Sequence, residues 1–131
     1  MNKEIIDLII NLASEKSFSI SKENQAGNIK YRAKIVLCGP ESDLRKISDA
    51  YPEITAYVIK NNKEGCWKYR VLDSNCESII NHIYSVYHNK PVLDVILELF
   101  AAKKNGRARR GLKKNYDYEE IYQKYLTVSN N

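Results

Sequence analysis

The sequence predicts an α+β domain, an αββαββα unit with a four-stranded antiparallel sheet backed by helices and followed by a C-terminal helix. Two observations carry this prediction. Alternating apolar and polar residues come in two pairs of stretches, and a polar turn joins each pair, as in antiparallel hairpins. Segments with apolar residues at helical spacing precede, separate and follow these pairs, so helices can cover one face of the sheet.

The elements can be assigned in chain order. Residues 3–14 carry apolar side chains around most of a helix, so this helix should be central or lie at an interface. Strands at 17–22 and 29–38 enclose a polar turn at 23–28 and form the first hairpin. The remaining predicted elements are a helix at 41–50, strands at 54–60 and 66–72, helices from Ser74 to Tyr87 and at 91–100, a basic linker at 103–114 and a helix at about 117–126.

Charge divides the chain into a domain at 1–102 and a basic linker with a terminal helix at 103–131. The formal net charge is +5, and the C-terminal segment holds eight Lys or Arg residues against three acids. Residues 1–102 hold 13 of each sign, so the whole excess lies in the C-terminal segment. A segregated positive charge of this kind favours a polyanionic partner.

Composition excludes two classes of protein. The sequence has no apolar run of 18 residues, which excludes a membrane-spanning helix, and its charged N-terminus is unlike a signal peptide. Cys38, Cys66 and Cys76 show neither CxxC spacing nor a Cys/His cluster, which indicates reduced thiols. We therefore expect a cytoplasmic protein, or one of an organellar matrix or nucleoid, that is not secreted and binds no membrane.

Two of the predicted strands carry a row of cations. Successive side chains of a strand point to opposite faces, so each strand has one apolar row for the helices and one row that stays open. The cations are Lys30, Arg32 and Lys34 on one strand and Lys68 and Arg70 on the other. Such a surface can lie along a nucleic-acid groove. An ordinary solvated sheet face is the alternative interpretation.

The element order and several short strings resemble the LAGLIDADG homing-endonuclease family over about residues 3–112. Members often read LAGLIDGEGSFSISK where this chain reads LIINLASEKSFSISK, from Leu8 to Lys22. Further similar strings are Lys30-Tyr31-Arg32, Trp67-x-Tyr69-Arg70, Asn89-Lys90-Pro91 and the helix end Glu98-Leu99-Phe100. The chain departs from the family at Ile10, Ser14 and Lys16, which replace glycines, and at Ala13, which replaces an acid.

The resemblance implies a homodimer whose first helices meet and whose two sheets form a saddle over the major groove of a pseudo-palindromic duplex. It places the family's metal-binding acid on Glu15, which would be the catalytic residue and the ligand of Mg2+. A surface acid at a helix end is the alternative for Glu15. The implied DNA-binding residues of the saddle are Ser17, Ser19, Ser21, Lys30, Arg32, Lys34, Lys68 and Arg70.

The basic linker adds a second predicted DNA contact. Arg107, Arg109 and Arg110 lie between two glycines, and such a segment can form an arm that contacts phosphates without reading sequence. A flexible linker whose charge serves only solubility is the alternative.

The sequence therefore predicts a homodimer that binds double-stranded DNA, either a site-specific Mg2+-dependent homing endonuclease or a degenerate descendant. A non-catalytic DNA-binding regulator and an RNA-binding splicing maturase on the same scaffold are the alternatives. A protein-interaction domain whose sheet binds an acidic partner is a third interpretation.

Overall fold

The computed structural model describes residues 3–14, 17–54, 57–60, 66–87, 90–108 and 118–129, without the side chains of 57, 59, 60 and 105–108. Within these residues, a helix–hairpin–helix–hairpin order is followed by three helices, as predicted. The elements are α1 (Lys3–Leu12), β1 (Phe18–Gln25), β2 (Asn28–Gly39), α2 (Glu41–Ala50), β3 (Tyr57–Lys60), β4 (Trp67–Leu72), α3 (Glu77–Val86), α4 (Pro91–Ala108) and α5 (Tyr118–Ser129).

The four strands form one antiparallel sheet in the order β1-β2-β4-β3. The long β2 is central because it pairs with β1 along its first part and with β4 along its last part. Lys34 marks the overlap, since it lies opposite both Ser19 of β1 and Leu72 of β4. The predicted αββαββα unit with a four-stranded antiparallel sheet is thus confirmed.

The hydrophobic core lies between the helices and one face of the sheet. Alternate strand residues such as Ile20, Ile35 and Tyr69 are at most 3% exposed, as the strand period requires. On α1, Ile6 and Ile9 are completely buried, so one face of the first helix lies in the core, and the prediction that it is central or lies at an interface stays open between the two. The other helices contribute Leu44, Ile47, Ile79, Ile80, Ile83, Leu93 and Ile96 to the same core.

The first hairpin is longer and its turn is tighter than predicted. The strands continue to Gln25 and resume at Asn28, so the predicted six-residue turn at 23–28 is wrong. Ala26 and Gly27 both have positive φ, +52° and +85°, which is the geometry of a two-residue turn between twisted strands. Consequently Glu23 belongs to β1 and shares a sheet face with Ser21.

The terminal helix α5 packs against the β1–β2 hairpin. Glu119 Oε1 accepts hydrogen bonds from Lys22 Nζ at 2.6 Å and from the Tyr31 hydroxyl at 2.7 Å. These contacts, led by the Lys22 bond, lower the pKa of Glu119 to about 2. The ring of Tyr31 also lies 5.8 Å from that of Tyr122, centroid to centroid. Because Lys22 and Tyr31 are cross-strand partners, α5 clamps both strands of the hairpin.

The helix α4 is also longer than predicted. It continues to Ala108, so residues 103–108 are helical and not part of a linker. The extension has partners on the rest of the fold, because Lys103 Nζ donates to the Tyr31 carbonyl oxygen and Lys104 pairs with Glu77. None of the described helices is long and apolar enough to cross a membrane.

Candidate nucleic-acid interface

The sheet face opposite the core carries the five cations named by the sequence. We call this surface the open face, and it consists of Ser19, Ser21 and Glu23 of β1, Lys30, Arg32 and Lys34 of β2, and Lys68 and Arg70 of β4. Lys30, Lys68 and Arg70 are exposed, whereas Arg32 and Lys34 are partly buried. The sequence prediction that these side chains share one uncovered face therefore agrees with the structure, and their role in binding stays a prediction.

Ser17 is the exception among the predicted saddle residues. It precedes β1 and is only 3% exposed. Its Oγ accepts a hydrogen bond from the Ser14 backbone N–H at 2.8 Å, which satisfies a donor just beyond the end of α1. The hydroxyl is thus a buried structural link between α1 and β1, whereas Ser19 and Ser21 are only partly buried.

The β1–β2 half of the open face is an ion-pair cluster. Glu23 Oε2 lies 3.3 Å from Lys34 Nζ and accepts a hydrogen bond from Ser21 Oγ at 3.0 Å, while Glu23 Oε1 lies 3.6 Å from Arg32 Nη1. Asp73 Oδ2 accepts a hydrogen bond from Arg32 Nε at 3.0 Å and lies 2.8 Å from Arg32 Nη2. The two carboxylates therefore hold two of the five cations.

The contacts within this cluster favour the charged forms of Glu23 and Arg32. The Ser21 hydrogen bond and the nearby Lys34 ammonium lower the pKa of Glu23 below its usual value. Asp73 in turn raises the pKa of Arg32. Asp73 follows β4 directly and has a φ of +55°, a left-handed conformation that Asp tolerates better than most residues.

The β4 half of the open face differs from this cluster. Among the described residues, no carboxylate lies within salt-bridge distance of Lys68 or Arg70. Their neighbours across the strand pair are the uncharged Cys38 and Val36. Their charges are therefore directed to solvent without a protein counter-ion in the described part of the chain.

At one end, the open face continues into a cavity of about 490 Å³. It lies where the first residues of β2 meet the start of α3 and the end of α4. Its charged lining consists of Lys30, Arg32, Lys103 and Lys104 together with Asp73 and Glu77. Because Lys30 and Arg32 already belong to the open face, the part of this wall beyond the sheet holds two cations, Lys103 and Lys104, against two acids.

Several predicted site residues lie outside the described residues. These are Glu15, Arg109, Arg110 and the side chain of Arg107. The catalytic role of Glu15, its Mg2+ ion and the phosphate-contacting arm therefore stay predictions. Within the described part of the chain, no three His, Cys, Asp or Glu residues are grouped to hold a metal ion.

Sequence reasoning missed Glu23 and Asp73 as the partners of Arg32 and Lys34. Extending the alternation Ser17, Ser19, Ser21 by one step would have placed Glu23 on the open face, but the predicted turn began there. Asp73 was harder to predict as a partner of Arg32. An acid directly after a strand can contact several side chains, and which one it contacts depends here on the positive φ of Asp73.

The sequence matches no protein-family model and none of the curated proteins. Solved structures do match. An archaeal intron-encoded homing endonuclease complexed with DNA is 12% identical, with a TM-score of 0.61 over 98% of this chain and 96% of that one. The homing endonuclease I-CvuI in complex with its target is 10% identical, with a TM-score of 0.61 over 96% of this chain and 94% of that one.

A third structural neighbour is more than twice as long as the part of it that this chain matches. The LAGLIDADG homing endonuclease I-GzeII in complex with its DNA target is 16% identical, with a TM-score of 0.59 over 98% of this chain but only 44% of that one. Together these structures define the class of this protein as an αββαββα saddle domain. More specifically, the chain has the LAGLIDADG homing-endonuclease fold, as the sequence resemblance predicts.

Proposed function

We propose that the protein binds double-stranded DNA as a homodimer through the open face, and that it is a site-specific Mg2+-dependent endonuclease or a descendant of one. The observation that carries the proposal is the row of five cations on the uncovered face of a fold whose solved neighbours are DNA complexes. The chemistry of the open face, the apolar surface of α1 and the residue type at position 15 each support one part of it.

The open face has the chemistry of a groove-binding surface. Its five cations exceed its two neighbouring acids, Glu23 and Asp73, by three charges, and the hydroxyls of Ser19 and Ser21 can donate or accept hydrogen bonds. Strands of a sheet can enter the major groove, where each base pair presents a distinct pattern of donors and acceptors. Binding through such a surface should weaken steeply as salt increases.

A homodimer would double this surface about a two-fold axis. This chain holds one αββαββα unit and spans 44% of the I-GzeII chain that it matches, and a second copy related by a two-fold axis would supply a second unit. The first helix has apolar surface available for such a contact, because Ile5, Leu8 and Ile10 are only partly buried in the monomer. A two-fold dimer would select a pseudo-palindromic site.

Glu15 is the proposed ligand of Mg2+, one from each copy, after the last turn of α1. A carboxylate is the type of ligand that Mg2+ prefers, so the residue type fits the ion. The ion, when bound, would activate water and stabilise the leaving oxygen of the phosphodiester. The residues of the open face would then place the scissile phosphates by fixing the register of the duplex.

The test starts with selection of a bound site from a randomised duplex library, followed by incubation of that duplex with Mg2+. We expect the wild type to cut both strands, and Glu15→Gln to bind the same duplex without cutting it. Glu41→Gln serves as the matched control, because it removes the same charge from an exposed acid on α2. Sedimentation of the complex would report whether two copies bind one duplex.

Two results would contradict parts of this proposal. If the wild type bound a selected duplex without cutting it, the proposed cleavage would be wrong. The protein would then be a non-catalytic DNA-binding regulator with the fold of a nuclease. Stronger binding to structured RNA than to any duplex DNA would favour the splicing-helper alternative.

A further inference from the structure

We propose that Glu23 and Asp73 are positioning residues that hold Arg32 and Lys34 to read base edges, and that they thereby set the sequence selectivity of the open face. The inference rests on the proposed DNA binding and concerns sequence selectivity, which DNA binding alone does not require. Three observations carry it: the donors left free on Arg32, the partial burial of the cluster, and the neighbouring cations that have no acid partner in the described part of the chain.

The geometry of Arg32 leaves a defined edge of the guanidinium for DNA. A guanidinium has five N–H donors; Nε donates to Asp73 Oδ2, and the same oxygen lies 2.8 Å from Nη2. Glu23 Oε1 lies 3.6 Å from Nη1, beyond hydrogen-bond distance. The two parallel N–H groups at the end of the fork match the O6 and N7 acceptors of guanine in the major groove. Lys34 gives one contact to Glu23 and keeps two of its three donors.

The ion pairs of this cluster restrict the movement of Arg32 and Lys34 more than they stabilise the fold. An ion pair that is open to solvent contributes little to stability, and each partly buried side chain of this cluster still keeps 28% to 35% of its surface in water. A base-edge contact, in contrast, depends on direction, so a cation that is already fixed loses less freedom when it binds. The carboxylates therefore improve the directed contact more than they improve stability.

The same carboxylates also disfavour indiscriminate binding. A phosphate oxygen that approached Arg32 or Lys34 would compete with a carboxylate already in place and would be repelled by it. Lys68 and Arg70 have no such competitor among the described residues. We therefore assign base reading to Arg32 and Lys34, and phosphate contact to Lys68 and Arg70.

The experiment measures base preference at every position of the selected site. Arg32→Ala first identifies the position whose preference depends on Arg32. Asp73→Asn and Glu23→Gln, which keep side-chain shape, are then measured on the selected site, on its single-base variants and on a random-sequence duplex. We expect each to lose about tenfold in discrimination at the positions read by Arg32 or Lys34, and to bind the random duplex more tightly.

The salt dependence gives a second readout that a purely structural role would not change. If Arg32 is released to a phosphate, the slope of log affinity against log salt on the random duplex should steepen by about 0.9. The control is again Glu41→Gln, which makes the same change in net charge on the helix side and should leave the preference at each position unchanged.

The outcomes separate this inference from the function on which it rests. If the wild type selects a site and the two variants keep every base preference, or lose affinity equally on all duplexes, the inference is wrong and DNA binding stands. If the wild type selects no duplex, the proposed function fails and the inference fails with it. Thermal unfolding of each variant shows whether a loss comes from misfolding.

Discussion

The two halves of the open face use the same residue types in different ways. On the β1–β2 half, Arg32 and Lys34 are partly buried, and each lies within salt-bridge distance of a carboxylate. On the β4 half, Lys68 and Arg70 are exposed and have no carboxylate partner among the described residues. The cations of one row therefore differ in their protein partners. Under the proposed function, we expect the paired cations to suit a directed base contact and the exposed ones a phosphate contact.

The largest effect is expected from Arg32→Ala. The variant loses the directed contact and leaves Asp73 without its Arg32 partner and Glu23 with Lys34 alone. We expect a loss of about 1–3 kcal/mol on the selected site, equivalent to roughly 5- to 150-fold in affinity, and a smaller loss on a random duplex. Fluorescence anisotropy on the two duplexes measures both values.

The control for Arg32→Ala is Arg45→Ala. Arg45 also pairs with an acid, Glu41, but it lies on α2 away from the open face. It should weaken both duplexes slightly and by the same factor. If Arg32→Ala lost the same factor in affinity on selected and random duplexes, Arg32 would contact only phosphates. The proposed difference between the two halves of the open face would then be wrong.

A more uniform effect is expected on the other half. Arg70→Ala and Lys68→Ala should each weaken selected and random duplexes by the same factor. The slope of log affinity against log salt should become shallower by about 0.9 for each phosphate that the variant no longer neutralises. If Arg70→Ala instead changed the base preference at one position, Arg70 would be a base-reading residue. Base reading would then not be limited to the β1–β2 half.

Much of this surface could be predicted from the sequence because strand period and charge are both local properties. The alternation of Lys30, Arg32 and Lys34 fixes their common face once the segment is a strand. The partners could not be predicted in the same way. Asp73 is 41 residues from Arg32, and their contact depends on the sheet order and on the positive φ of Asp73.

The docking of α5 shows the same limit. The tyrosines at helical spacing in 118–125 predict a packed helix, but nothing in the sequence names the surface on which they pack. Glu119 joins Lys22 and Tyr31 across 97 and 88 residues of chain. Contacts of this kind arise only after β1 and β2 have paired, so they depend on tertiary structure and not on local pattern.

The smallest effect on DNA binding is expected from Glu119→Gln, which acts on the β1–β2 half from the helix side. Glu119 binds the cross-strand pair Lys22–Tyr31, which lies between the pairs Ser21–Arg32 and Glu23–Lys30. Without the Glu119 contacts, the hairpin that carries Arg32 should move more freely. The difference in affinity between selected and random duplexes should therefore decrease slightly. Fluorescence anisotropy on the same two duplexes measures the difference.

The effect on stability has a defined pH dependence. The pKa of Glu119 falls from its usual 4.5 to about 2 in the fold, so the carboxylate stabilises the folded state above pH 4.5. This contribution disappears as the pH falls from about 4.5 to about 2. Thermal unfolding should therefore show Glu119→Gln to be less stable than the wild type at pH 7, with the difference shrinking in that acid window. Glu41→Gln should not reproduce this pattern, and a difference that persisted unchanged down to pH 2 would mean that the Glu119 charge does not hold α5 on the hairpin.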